Sequence, residues 1–280
     1  MSRLDELPTS GVVKVLILGD SKSGKTGMLA SLVKSGYWLG MLDFDNGARI
    51  IKNYLEPSEL NQVDVQVCID AMKHSGGRLF PADATAWMKA LKMLDNWPGK
   101  GPVPSWTSKD ILVVDSLTFA GKSAMNFHMK LNGKLAVPPE WKDFKPAQDY
   151  VSNFLSVLFS DEIKCNVVAI THIDYIAPPG STREEREKQE IFRGYPSSIG
   201  SGLGPKTGRW FNNMLMVRSE SGVRRIYTDS YQNVELGTEA PSKVKKSYPL
   251  STGLADFFAD VLGKAVTAGP VVSSPKLAIE

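Results

Sequence analysis

Residues 12–26 of the chain read VVKVLILGDSKSGKT, an apolar run followed directly by a glycine-rich loop. The run from Val12 to Leu18 is short and rich in β-branched residues, which favours a buried strand over a helix. The loop, residues 19–26, matches the phosphate-binding pattern G-x-x-x-x-G-K-[ST] at every defined position. A helix-length segment, residues 25–34, comes next. The loop lies between a predicted strand and a predicted helix, and this order predicts a nucleotide-binding site. A chance loop of the same composition would not be expected to have both a strand before it and a helix after it.

The loop and the residue behind it supply the predicted cofactor-binding residues. Glycines let the backbone turn so that successive N–H groups point at phosphate oxygens, and the following helix adds its positive dipole end. We expect Lys25 to contact the β- and γ-phosphates of ATP and Thr26 to ligate Mg²⁺ through its hydroxyl. The predicted set is Gly19, Asp20, Ser21, Lys22, Ser23, Gly24, Lys25, Thr26 and Gly27.

A carboxylate ends a second apolar run, in which Asp115 follows residues 111–114. In P-loop enzymes a buried strand delivers such an aspartate to the metal site. Any strand that ends in aspartate has the same pattern, so the prediction for Asp115 depends on the presence of the phosphate loop in the same chain. We therefore predict Asp115 as a catalytic and metal-site residue.

Polar residues follow two further predicted strands. Asp43 and Asp45 come at the end of residues 38–44, and ligands of α/β sheets bind at the carboxyl ends of strands. Asp45 is the predicted catalytic residue that orients the attacking water; the structural alternative is that Asp45 or Asn46 caps a helix near residue 48. His172 follows the apolar run 167–171 and is predicted to sense the γ-phosphate, although a lone histidine is more often structural.

The remaining pattern predicts one α/β domain. Strand candidates alternate with helical segments, which implies βαβ units and a mostly parallel central sheet with flanking helices. Residues 214–219 and 223–228 flank a short turn and predict an antiparallel hairpin at the C-terminal edge of that sheet. We expect an N-terminal arm over residues 1–10, the domain over 11–262 and a disordered tail over 263–280.

Composition excludes several classes. Hydrophobic residues make up 42% and charged residues 22%, which is typical of a globular chain. The net charge of +3 is too small to indicate a nucleic-acid partner by itself. Cys68 and Cys165 lie in apolar runs and are expected to be buried thiols. No apolar stretch is long enough to span a bilayer and residues 1–6 have no apolar signal core, so we expect a cytoplasmic protein with no membrane partner.

The motif order, with LDFD at 42–45, VVDS at 113–116 and ITH at 170–172, resembles the RecA-like ATPase core. It is most similar to the compact RecA-like ATPases of bacteriophages, some of which are single-strand annealing recombinases. The resemblance implies Mg²⁺-dependent, DNA-stimulated ATP hydrolysis on single-stranded DNA in recombination or replication, in the host cytoplasm. It also implies a homo-oligomer with ATP near subunit interfaces and a phage single-strand binding protein as a partner. In that family a glutamate commonly stands where Asp45 is, and glutamine is found where His172 is.

The resemblance extends to the C-terminal third. The segment between His172 and residue 212 is similar to the second DNA-binding loop, which makes Lys206, Arg209 and Trp210 the implied DNA contacts. Lys243 and Lys245 resemble two lysines that reach the ATP of a neighbouring subunit. The composition agrees, because residues 206–246 contain eight Lys/Arg and four Asp/Glu. Basic residues interleaved with aromatic ones suit a single strand, but an ordinary sheet edge has the same composition.

Two other functions fit the same phosphate loop. One is a kinase for a small metabolite or nucleotide, which needs an acceptor pocket and a mobile lid. The other is a nucleotide-dependent loader or assembly switch that hydrolyses little ATP. ATP hydrolysis measured with and without single-stranded DNA distinguishes the three.

Overall fold

The computed structural model describes residues 11–178, 180–182, 192–231 and 233–263. The predicted arm, residues 1–10, lies outside this range, as does the predicted tail except for its first residue. Within the described residues, no helix is both long and apolar enough to cross a membrane.

Twelve strands occur in the described residues, eight of them in one sheet. In chain order they are β1 (Lys14–Gly19), β2 (Trp38–Asp43), β3 (Val63–Val67), β4 (Met72–Ser75), β5 (Arg78–Pro81), β6 (Asp110–Asp115), β7 (Asn166–Thr171), β8 (Ile173–Ile176), β9 (Arg193–Pro196), β10 (Asn213–Glu220), β11 (Val223–Tyr227) and β12 (Ser247–Pro249). The main sheet has the order β12-β11-β10-β1-β7-β6-β2-β3, while β4–β5 and β8–β9 form separate two-stranded ribbons.

Six neighbouring strands of the main sheet, from β10 to β3, run parallel. Strands β11 and β12 add to the β10 edge in antiparallel orientation. This confirms the predicted α/β fold class with a mostly parallel sheet and an antiparallel C-terminal hairpin. Since the strands β1, β7, β6 and β2 are adjacent and parallel, their carboxyl ends meet at one edge, where the predicted site residues lie.

Helices cover both faces of the sheet. They are α1 (Ala30–Lys34), α2 (Ala86–Asp95), α3 (Leu117–Leu131), α4 (Trp141–Leu158), α5 (Gly200–Thr207) and α6 (Gly253–Leu262). The cluster on one face joins the sheet to α2, α3, α4 and α5, and the cluster on the other face joins it to α1 and α6. On β1, Leu16 belongs to the first cluster and Ile17 to the second. A strand buried on both faces must be apolar throughout, which explains its uninterrupted hydrophobic run.

Two expectations about local structure were wrong. The segment 25–34 is not one helix, because a 3-10 turn over Gly27–Leu29 precedes the short α1. The expected long loop after His172 is instead largely regular where the structure describes it, with β8, β9 and α5. Helix α5 forms although it is rich in glycine, since Leu203 is buried in the core and Gln148 of α4 donates a hydrogen bond to the carbonyl of Ile199.

Candidate active site

The phosphate loop follows β1 and has a backbone conformation that requires glycine at some of its positions. A Cβ on Gly19 would lie 2.5 Å from the carbonyl oxygen of Val217 and 2.8 Å from Ser23 Oγ, so no side chain fits there. Lys22 and Gly24 have positive φ angles of 62° and 103°. Left-handed positions of this kind allow successive backbone N–H groups of a loop to point toward a bound anion.

Lys25 lies against this loop. Its side chain is almost fully buried, and its ammonium donates hydrogen bonds of 2.8 Å to the carbonyl oxygens of Gly19 and Asp20. Burial lowers the pKa of Lys25, while the nearby carboxylates of Asp115, Asp20 and Asp45 act in the opposite direction. The two carbonyl bonds therefore hold a cation over the loop that is predicted to receive phosphates.

Asp115 ends β6 beside the loop and is bonded to it. Thr26 Oγ1 donates a hydrogen bond of 2.6 Å to Asp115 Oδ2. The carboxyl group is almost completely buried, and burial raises the pKa of Asp115 to about 7, with further upward contributions from Asp45 and Asp43. A buried carboxylate among other carboxylates gains strongly from a bound cation.

The two aspartates after β2 have different surroundings. Asp43 is buried, and its carboxylate accepts hydrogen bonds of 3.1 Å from the backbone N–H groups of Gly47 and Ala48. The capping role considered for Asp45 or Asn46 therefore belongs largely to Asp43, although Asp45 Oδ1 also accepts one bond of 3.0 Å from Gly47. Asp45 is half-buried, and burial followed by the charge of Asp43 raises its pKa.

His172 follows β7 at the same edge of the sheet. Its Nδ1 lies 3.3 Å from the hydroxyl of Thr118, which also accepts a 3.2 Å bond from the His172 backbone N–H. The ring makes an edge contact with Phe119 at the start of α3. Burial and the neighbouring charge of Lys25 lower the pKa of His172, so the imidazole is neutral at pH 7.

Two buried hydroxyl groups at the site are available to form hydrogen bonds with a polar ligand. Ser23 Oγ in the loop and Ser116 Oγ directly after Asp115 have no hydrogen-bond partner within the described residues. Buried polar atoms almost always have a partner, so these two oxygens indicate a polar group that is bound in use. Phosphates with a hydrated Mg²⁺ supply both donors and acceptors, and the residues of the site therefore fit the predicted cofactors.

Three residues that the sequence analysis did not identify also lie against the loop. A Cβ on Gly24 would meet Leu250 Cδ2 at 2.7 Å and Arg224 Cδ at 3.6 Å, and a Cβ on Gly27 would meet the ring of Tyr54 at 2.8 Å. The sequence carries no local signal for these contacts, because β11, β12 and the turn at Ala48–Tyr54 reach the loop only through the fold.

The predicted DNA and neighbour contacts are scattered. Lys206 and Arg209 are exposed, while Trp210 packs on the core and donates a 3.1 Å bond to Ser156 of α4. Lys243 and Lys245 are exposed, and the Lys245 ammonium lies 5.5 Å from the centre of the Tyr248 ring. Among the described contacts, neither lysine reaches the phosphate loop of its own chain.

A cavity of about 250 Å³ adjoins the loop that carries Asp45. Its walls are mainly apolar and come from β3 and from the segment after Ala48, with Asp43, Asn46, Arg49 and Lys52 at the polar positions. The cavity is a candidate pocket for a small molecule beside the predicted nucleotide site.

No protein-family model and no curated protein matches the chain. Among solved structures, the crystal structure of the RadB recombinase matches with a TM-score of 0.41 and 14% identity, over 84% of this chain and 87% of that one. A prototypical ATPase of the type III secretion system of pathogenic bacteria has a TM-score of 0.43, 13% identity and coverage of 74% and 52%. The ATPase EscN of enteropathogenic E. coli, in complex with its central stalk EscO, has a TM-score of 0.43, 12% identity and coverage of 75% and 43%. The match spans about half the length of each secretion ATPase or less, and the fold class is established by the strand order of the chain itself.

Proposed function

We propose that this chain is a Mg²⁺-dependent ATPase with a RecA-like core, encoded by a bacteriophage and acting on single-stranded DNA in recombination or replication. The observation that carries the ATPase proposal is the bonded pair Thr26 and Asp115 beside the buried Lys25. P-loop ATPases hold Mg²⁺ with the hydroxyl after the lysine and with an aspartate at the end of a neighbouring strand. Both groups are present here and already in contact.

The residues of the site have separable roles. Lys25 and the backbone N–H groups of the loop bind and orient the phosphates, and Thr26 and Asp115 would hold Mg²⁺. When bound, the metal neutralises charge that develops on the phosphate oxygens. Asp45 orients a water molecule and accepts its proton, for which a raised pKa is favourable because a stronger base takes the proton more readily. His172 is neutral and half-buried, which suits a hydrogen-bond contact to the terminal phosphate.

The proposed assembly places ATP near an interface between copies of the chain. Lys243 and Lys245 are exposed and make no contact with their own phosphate loop among the described residues. The lysines precede β12, whereas Leu250, which lies against Gly24, follows it, so the strand separates the lysines from the phosphate loop of their own chain. An exposed pair of cations without a contact to its own loop can serve the phosphates of an adjacent subunit.

Phosphoryl transfer to a small acceptor is the second candidate. The cavity beside Asp43 is the observation that favours it, since a kinase needs an acceptor pocket close to the terminal phosphate. The cavity lining does not include Lys25, Thr26 or Asp115, so the cavity supports phosphoryl transfer less directly than the Thr26–Asp115 pair supports hydrolysis.

The test is ATP turnover by the purified chain, with and without Mg²⁺ and with and without an oligothymidylate strand. Mg²⁺-dependent release of phosphate that rises with the oligonucleotide supports the proposal. Transfer of the labelled γ-phosphate to a metabolite or nucleotide, without phosphate release, would establish the kinase. Tight ATP binding with no turnover under any condition would establish the assembly switch.

A further inference from the structure

Strands β4 and β5 form a two-stranded ribbon, residues 72–81, that projects from the domain. The strands pair in antiparallel register and are joined by Gly76 and Gly77, whose φ angles are 57° and 74°. Two successive positive φ angles are typical of a tight hairpin turn and require glycine or asparagine. Every residue from 71 to 79 is exposed, and within the described chain no side chain of the ribbon has a hydrogen bond or an ion pair.

The ribbon is basic. Lys73 and Arg78 are its charged residues, His74 lies between them in sequence, and no aspartate or glutamate occurs from Ala71 to Ala82. Asp70 and Asp83 flank the stretch, but their carboxylates have other partners: Asp70 accepts hydrogen bonds from Ala86 and Asn126, and Asp83 pairs with Lys130. Unpaired cations on a projecting element attract a polyanion at little cost, since no ion pair must first be broken.

The ribbon is also unusually apolar for an exposed element. Leu79 is 71% exposed and Met72 is 54% exposed. Strand pairing places Lys73, Phe80 and Arg78 on one face, with Met72 and Leu79 on the other. Arg78 and Leu79 are neighbours on β5 that point to opposite faces. A nucleotide strand along the outer edge of β5 can therefore place a phosphate at Arg78 and a base at Leu79.

The base of the ribbon is bonded to the candidate active site. The N–H of Cys68, just before the ribbon, donates a 2.7 Å bond to the carbonyl of Asp43. Asp70 accepts a 2.8 Å bond from the N–H of Ala86 and a 2.9 Å bond from Asn126 of α3, the helix that follows β6. The ribbon thus follows a segment that is hydrogen-bonded both to Asp43, at the end of β2, and to helix α3.

We propose that the ribbon of residues 72–81 is a contact surface for single-stranded nucleic acid. Single strands fit better than duplexes, because exposed Met72 and Leu79 need apolar base faces to cover them, and a duplex keeps those faces stacked inside. This inference rests on the proposed function and specifies where its DNA binds. Lys206 and Arg209, the contacts implied by resemblance, lie on different elements, so the two surfaces can be tested separately.

The experiment measures the binding of a fluorescently labelled oligothymidylate by anisotropy at several salt concentrations. The test variant is Lys73→Ala with Arg78→Ala, and Leu79→Ser is a second variant. The matched control is Lys34→Ala with Lys92→Ala, which removes the same charge from exposed positions on α1 and α2. All three sets leave the nucleotide site intact, so hydrolysis of ATP without DNA should equal that of the parent and show that each variant is folded.

We expect the Lys73/Arg78 variant to bind on the order of tenfold more weakly and to flatten the log–log salt dependence by about 0.7 units for each lost contact. It should also lose stimulation of ATP hydrolysis by DNA. Leu79→Ser should weaken binding without changing the salt slope, and the Lys34/Lys92 control should behave as the parent.

Several outcomes overturn the inference. Parent-like affinity and slope in the Lys73/Arg78 variant, or an equal loss in the Lys34/Lys92 control, would remove the ribbon from DNA binding while leaving the proposed function standing. A loss confined to duplex DNA would assign the ribbon to duplexes. If the parent chain binds no single strand at any salt concentration, the DNA part of the proposed function fails together with the ribbon.

Discussion

Thr26 and Asp115, which are 89 positions apart, are joined by a hydrogen bond of 2.6 Å between Thr26 Oγ1 and Asp115 Oδ2. The bond connects the phosphate loop after β1 to the end of β6, although β7 lies between these two strands in the sheet. Both predicted metal-site groups are thereby held together before any ligand binds, which lowers the entropic cost of forming the site.

Thr26→Ala should raise the Mg²⁺ concentration needed for half-maximal ATP hydrolysis and lower the rate by about ten- to a hundredfold. The reason is that alanine removes the hydroxyl that would hold Mg²⁺ together with Asp115, and a polar contact to a charged group is worth about 1.5–3 kcal/mol. A magnesium titration of phosphate release measures this. Thr26→Ser keeps the hydroxyl and should stay close to the parent; equal losses in both variants would show that the methyl group, and not the hydroxyl, matters.

Lys25→Ala should abolish ATP hydrolysis and leave the domain folded. The ammonium holds the loop through the carbonyls of Gly19 and Asp20 and neutralises phosphate charge, and alanine does neither. Phosphate release and the circular dichroism of the variant are the measurements. Normal hydrolysis by a folded Lys25→Ala protein would refute the ATPase proposal.

Asp45→Asn should slow hydrolysis while the affinity for ATP is retained, since a residue that activates water acts mainly in the transition state. Single-turnover kinetics and nucleotide binding separate the two effects. Asp43→Asn is the matched control, because Asp43 caps the turn at Gly47 and Ala48 and its change should lower the free energy of unfolding by about 1 kcal/mol. Loss of ATP affinity with an unchanged turnover rate would instead assign Asp45 to the metal site.

Asp115→Asn should stabilise the ligand-free chain more at pH 8 than at pH 5. The pKa of Asp115 is raised to about 7, so the folded chain keeps a proton that the unfolded chain releases at lower pH. Its stability therefore falls between the ordinary aspartate pKa and pH 7, and asparagine avoids this loss, which is on the order of 2 kcal/mol between pH 5 and 8.

Denaturant unfolding at the two pH values, with a chelator present, measures the Asp115→Asn effect. Asp95→Asn, at an exposed position at the end of α2, is the matched control for the loss of one carboxyl group. A difference between parent and Asp115→Asn that is the same at both pH values would mean that Asp115 is ionised throughout this range.

Lys243→Ala and Lys245→Ala should each reduce the ATPase activity of the assembled protein. Mixing either variant with Lys25→Ala protein should restore part of the activity, because a mixed interface can pair an intact phosphate loop with intact lysines. Phosphate release by the mixture, with assembly followed by light scattering, is the measurement. Assembly without recovery of activity would assign the lysines to their own subunit or to structure.

The sequence by itself was sufficient for the position of the glycine-rich loop after β1, the mostly parallel sheet and the edge hairpin. These features depend on local patterns: a strand buried on both faces must be continuously apolar, and a phosphate loop needs glycines at fixed spacing. The strand β1 and the hairpin of β10 with β11 lie close to where these patterns place them. The roles assigned to Asp45, His172 and the exposed lysines stay predictions.

Only the tertiary structure decided which distant residues meet. The family resemblance implied a loop between His172 and residue 212, but burial of Leu203 and the hydrogen bond from Gln148 accompany a helix over Gly200–Thr207. The tertiary structure also places Arg224 beside Gly24 of the phosphate loop. Asp43, and not Asp45 or Asn46, is the main capping residue of the turn that begins near Ala48. The physical reason is that apolar residues repeating every 2 positions in a strand, or every 3.6 in a helix, define only which face of that element is apolar. Contacts between elements depend on strand order and packing, which no short stretch of the chain determines.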